Sequence, residues 1–157
     1  MLKKVFSLLF TSYLANALTS TTKFNQDMPQ DISTYVPHHP SVDNSTYGNI
    51  DEIATTHYHV DWYINFGSST LMGWIIHDMT VKADNTLYVQ LDSWDLVILE
   101  VQLLPPGSAM YATTHAGTTE VTNSTLVWDI KSPNPDSGDV LVIELDKEYM
   151  AGAEVSI

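Results

Sequence analysis

The chain has 157 residues, 44% of them apolar, with four Trp, eight Tyr and four Phe, enough bulk for one packed domain and too much for a chain disordered throughout. Nineteen acidic residues face six Lys and no Arg, a formal charge of −13 at pH 7. That surface excludes nucleic acid and anionic membranes as natural partners, and the absence of Cys excludes disulfides and thiolate metal sites.

Residues 1–17 read as a signal peptide. Lys3 and Lys4 supply the positive start. Val5 to Leu14 is apolar apart from Ser7, Thr11 and Ser12, and Ala15-Asn16-Ala17 provides small residues for cleavage before Leu18. The apolar run is shorter than the roughly 20 residues a bilayer requires. The expected location is therefore secreted or lumenal, with no membrane attachment once the leader is gone. Two sequons fit that route, at Asn44-Ser45-Thr46 and Asn123-Ser124-Thr125, both in polar, turn-like stretches suited to glycosylation.

Residues 18–49 form a polar approach with Pro29, Pro37 and Pro40 and no helical periodicity, expected to wrap over the domain or to stay mobile. His38-His39 falls in this segment and reads as solvated loop. From Thr56 the pattern becomes that of strands. Tyr58, Val60, Trp62, Ile64 and Phe66 alternate with His57, His59, Asp61, Tyr63 and Asn65, which predicts a half-buried strand with the first set toward the core. Gly67-Ser68-Ser69 turns the chain into a second antiparallel strand, Thr70 to Val81. Its inner face would carry Leu71, Gly73, Ile75, His77, Met79 and Val81, with Gly73 marking a close backbone approach or a bulge.

After Asp84-Asn85, Leu87, Val89 and Leu91 alternate with Tyr88 and Gln90 in a third strand. Asp92-Ser93-Trp94-Asp95 turns the chain again. Leu96 to Leu104 is nearly all apolar and predicts a buried strand ended by Pro105-Pro106-Gly107. Shorter strands are expected over Ala109–Thr113 and Thr119–Ile130. A loop follows over Ser132–Gly138, then a strand over Asp139–Leu145. Ala153–Ile157 begins a last strand whose edge would await a partner. No segment has a convincing helical period. The expected fold is all-β, an antiparallel sandwich or saddle-like sheet.

Few side chains suggest chemistry. His57, His59 and Asp61 share one strand face and are weak candidates for a metal site, against a polar outer face. His77 stands where the pattern wants an apolar residue and reads as a hydrogen-bonded core or edge histidine, with a ligand contact as the alternative. Asp92 and Asp95 flank a turn, where carboxylates satisfy backbone amides more often than they do acid–base work. Tyr63, Trp74 and Trp94 are candidates for a sugar- or peptide-binding platform. No G-x-S-x-G and no phosphate-cradling Gly loop occurs, so no catalytic and no cofactor-binding residue is assigned.

Four segments in order resemble the N-terminal β domain of zinc metallopeptidases of the aminopeptidase N and leukotriene A(4) hydrolase family. They are Thr56-His57-Tyr58-His59-Val60 through Ile64-Asn65-Phe66; Thr70-Leu71-Met72-Gly73; Leu91-Asp92-Ser93-Trp94-Asp95-Leu96-Val97-Ile98 with Val101; and Leu141-Val142-Ile143-Glu144-Leu145 with Lys147, Gly152 and Val155. The resemblance implies a structural β domain over 50–157 that packs on a catalytic domain and borders its cleft. It implies zinc only in that other domain. Neither H-E-x-x-H nor the amine-binding G-x-M-E-N occurs in this chain, so no catalytic residue carries over. The other expectation is an extracellular assembly module that uses an open sheet edge to bind a protein partner or another copy of itself.

Overall fold

The computed structural model describes residues 3–6, 31–41, 43–109, 124–134 and 138–157. The fold is all-β, as expected. Its strands are β1 (Lys3–Phe6), β2 (Ile53–Asn65), β3 (Thr70–Val81), β4 (Thr86–Ser93), β5 (Leu96–Ile98), β6 (Gln102–Leu103), β7 (Ser124–Thr125), β8 (Val127–Lys131), β9 (Asp139–Tyr149) and β10 (Glu154–Ser156). Of the leader read over 1–17, only Lys3–Phe6 is described, as a strand parallel to β3 and β5.

Two open sheets carry the architecture. In the first, β3 is central: β2 pairs along its whole length on one side, and β10 and β1 share the other, with β5 beyond β1. The second runs β4-β9-β8, all antiparallel. A two-stranded β6–β7 pair lies apart from both. Ile53, Met79 and Val81 from the first sheet meet Val89, Leu141, Ile143 and Leu145 from the second, with Val155 and Ile157 closing the cluster. Each fully buried aliphatic here stabilises by about 1.5–3 kcal/mol through area removed from water.

The second sheet is covered on both faces. Leu141, Ile143 and Leu145 of β9 point into the main core, whereas Val140 and Val142 join Ile32, Tyr47 and Tyr88 in a second cluster. That explains the unbroken apolar run of β9, and in β4 it buries Tyr88, Val89 and Gln90 alike. The second cover is the polar approach segment, whose described part wraps over the sheet as anticipated. A 3-10 turn at Ile32–Thr34, capped by Asp31, brings Ile32 to the sheet. The side chain of Gln90 then pairs with His38 twice, accepting from its N–H at 3.1 Å and donating to its carbonyl at 3.2 Å.

Two expectations are corrected. The apolar stretch Leu96–Leu104 is not one buried strand. It breaks after Ile98 and resumes at Gln102, leaving Val97 and Leu99 52% and 48% exposed. The break lies where the chain leaves the first sheet for the β6–β7 pair: Val101 turns inward, and its carbonyl accepts the N–H of Leu126. Nor does the last strand leave an open edge. β10 lies between β3 and a bridge to Leu104, and Ile157 exchanges both backbone hydrogen bonds with His77, at 2.8 and 3.0 Å. The long unpaired edge is at β2, where no strand pairs with the outer side among the described residues.

Candidate docking surface

β2 and β3 form a hairpin of 13 and 12 residues. At about 3.4 Å per residue, such strands are roughly 40 Å long. Their base is buried through Ile53, Met79 and Val81, and their distal half runs past the core. The tip is set by Asn65, whose Oδ1 accepts the N–H groups of Gly67 and Ser68, and by Ser69 at a positive φ of 52°. Gly73 is the close approach predicted for it: a Cβ there would run into the carbonyl oxygen of Asp61 on the facing strand.

The register places Tyr58 opposite His77, Val60 opposite Ile75, Trp62 opposite Gly73 and Ile64 opposite Leu71. These residues share one face. The sequence predicts them in the core, but the hairpin overhangs the second sheet and leaves them open. Tyr58 is 63%, Trp62 53%, Ile64 56% and Phe66 88% exposed. The buried part of that face continues into a cavity of about 290 Å³ between the sheets, lined by Ile75, Leu91, Leu96, Ile98 and Ile143, with His77 on its wall. Burial pushes the His77 imidazole below its ordinary pKa, and its Nδ1 lies 3.2 Å from the Thr55 hydroxyl.

His57, His59 and Asp61 occupy the opposite face, as read from the sequence. A bulge between Thr55 and His57 sets their phase. They do not converge. His59 stacks on Trp74, ring centroids 4.9 Å apart, while His57 and Asp61 stand in solvent. Among the described residues, no group of three or more His, Asp or Glu side chains is disposed to hold a metal ion. Side chains two apart on a strand are separated by roughly 6.8 Å, and the stacked His59 ring is not turned toward its neighbours.

The remaining candidates are dispersed. Tyr63 and Trp74 lie diagonally on the His59 face, but Trp94 sits in the β4–β5 connection against Gly138. The three do not make one platform. Asp92 accepts from the Tyr47 N–H at 2.8 Å and from the Thr46 hydroxyl, tying down the approach segment rather than its own turn. Asp95 takes a positive φ of 50° in that turn, so its role is conformational. His39 stacks on Tyr47, and His38 lies 3.5 Å from Glu52. Asn44 is exposed in a turn, whereas Asn123 lies outside the described residues.

The outer edge of β2, which no strand pairs with among the described residues, escaped the sequence reading, which placed the open edge at the other end of the chain. The available signal was length: a 13-residue strand exceeds the usual five or six. The chain matches no protein-family model and no curated protein.

Proposed function

We propose that this chain is a non-catalytic, exported β domain that works by docking on another protein, with the overhanging face of the β2–β3 hairpin as its contact surface. One observation carries the reading: Tyr58, Trp62 and Ile64 are all more than half exposed on one side of one strand, and Phe66 is exposed in the turn that follows it. Exposed contiguous apolar patches mark interaction sites, and Trp and Tyr are the side chains that anchor them. The four strand segments that resemble the N-terminal domain of zinc aminopeptidases suggest the partner, a catalytic domain that supplies the H-E-x-x-H this chain lacks.

Isolation of the chain in its native state from the cells that make it tests this. A heteromer is expected, with amides of residues 58–66 protected from hydrogen exchange. A monomer with those amides exchanging freely overturns the docking reading. A partner without H-E-x-x-H overturns the peptidase assignment and leaves docking in place.

A second reading is self-assembly. It draws on a different feature, the outer edge of β2, which no strand pairs with among the described residues.

A further inference from the structure

The exposed edge of β2 is unusually poor in the devices that normally keep such edges apart. Between His57 and Asn65 it carries no Lys and no Pro, and Asp61 is its single carboxylate. Whether Asp61 guards the edge depends on what would stand opposite it. If two copies pair their β2 edges antiparallel, a two-fold axis runs perpendicular to the joined sheet. Each face then stays on its own side, so residues of like parity meet, and the axis must pass through one residue position.

Only a few axis positions keep the regular part of β2 paired, and they differ sharply. With the axis at Asp61, two carboxylates oppose each other directly, which is destabilising. With the axis at His59, two imidazoles oppose each other. With the axis at Val60, His59 stands opposite the partner copy's Asp61, and the same pair recurs by symmetry. His57 stands opposite Tyr63 on that same face, and on the other face Tyr58 stands opposite Trp62, again twice. Directly opposed side chains have Cβ atoms about 4.5–5.5 Å apart, close enough for charge and ring contacts.

We infer that the chain forms a two-fold dimer by antiparallel pairing of β2 with β2 of a second copy, centred on Val60, with His59 opposite Asp61 on both sides of the axis. The inference rests on the assembly reading above and adds the partner and the register. His59 is already held in place by Trp74, so the pair costs little additional ordering. The same arrangement accounts for a His-x-Asp pair on this face where no metal-holding group is formed among the described residues.

The test uses the full chain in two ways. The chain has no Cys, so Val60→Cys introduces a single thiol on the axis. The expected result is an intermolecular disulfide on mild oxidation, with Tyr58→Cys and Ile64→Cys, which are off the axis, staying largely uncrosslinked. The second test is a charge exchange read by sedimentation equilibrium. His59→Asp places carboxylates opposite one another twice and should weaken the dimer roughly tenfold or more. The double variant His59→Asp/Asp61→His restores opposite pairs and should recover most of the affinity.

A monomeric wild-type chain at every accessible concentration overturns the assembly reading and the register with it. A dimer in which Val60→Cys fails to crosslink, or in which the double exchange does not restore affinity, overturns the register while self-assembly stands.

Discussion

Asn49 meets Gln90 as a neighbouring strand would, its side-chain Oδ1 accepting the Gln90 backbone N–H at 2.8 Å. The same amide donates to the Tyr88 carbonyl at 3.0 Å and to Glu52 at 2.8 Å, from a position only 1% exposed. One side chain thus replaces a missing strand at the outer edge of β4. Asn49→Ala leaves a buried N–H and a buried carbonyl without partners and should destabilise the fold by about 2–4 kcal/mol. Urea unfolding checks this through a lower midpoint at unchanged slope. Asn49→Asp should be no milder, because it keeps the acceptor, loses both donors and sets a carboxylate beside Glu52.

At Gly73 the constraint is space. The nearest atoms to an added Cβ are the carbonyl of Asp61 and the Cα of Trp62, all backbone, so no side-chain rotation relieves the contact. Gly73→Ala should cost about 1–3 kcal/mol as overpacking does. The loss should be local. Hydrogen exchange should speed up at residues 58–66 and 70–77 and change little in β9, which packs in the main core.

The difference between these two sites shows what the sequence made legible. Gly73 was readable because a glycine inside an alternating pattern announces a close approach, and β3 itself runs over the predicted Thr70–Val81. The alternation of β2 was readable as well, but not which environment its aromatic face meets. Period two reports that two faces differ; it does not report whether a second sheet reaches far enough to cover one of them. The role of Asn49 was hidden for another reason. Its partners Tyr88 and Gln90 lie 39 and 41 positions away in sequence, and a single polar residue in a loop carries no local mark of such a contact. Likewise, His57, His59 and Asp61 were correctly placed on one face, yet spacing along a strand does not say whether rings turn inward or, as with His59, stack across the hairpin.

Ser156 and Asp78 form a buried polar joint between β10 and β3. The Ser156 hydroxyl donates to Asp78 Oδ1 at 2.6 Å and accepts the Gly107 N–H at 3.0 Å, and Asp78 Oδ1 also takes the Ala109 N–H at 3.0 Å. Ser156 is fully buried and Asp78 nearly so. Ser156→Ala removes one donor from a buried carboxylate and the acceptor from the part-buried Gly107 amide. A loss of about 2–3 kcal/mol is expected, since hydrogen bonds to charged groups are the stronger ones. Pairing it with Asp78→Asn in a double-mutant cycle should give a coupling well above the roughly 0.5 kcal/mol seen for independent sites.

His77 gives the fold a pH dependence of definite sign. Burial holds its pKa below the ordinary 6.5. Above that value neither the folded nor the unfolded chain binds a proton at this ring. As the pH falls through 6.5 the unfolded chain protonates first, so the stability tied to a neutral His77 is fully present above 6.5 and is lost as the pH drops toward the folded pKa. The Thr55 hydroxyl adds to this, because Nδ1 can accept its hydrogen bond only while unprotonated. Glu144 acts in the opposite direction. Its pKa is raised by burial, so its contribution is present at acid pH and lost as the pH rises. The two are separated by difference. Subtracting the unfolding free energy of His77→Gln from that of the wild type cancels Glu144 and every other shared group. The difference should be level above about pH 7.5 and should fall steadily toward about pH 5. A difference curve that stays flat across that range would mean that His77 titrates alike in the folded and unfolded chain, and that the cavity wall it occupies is open to water.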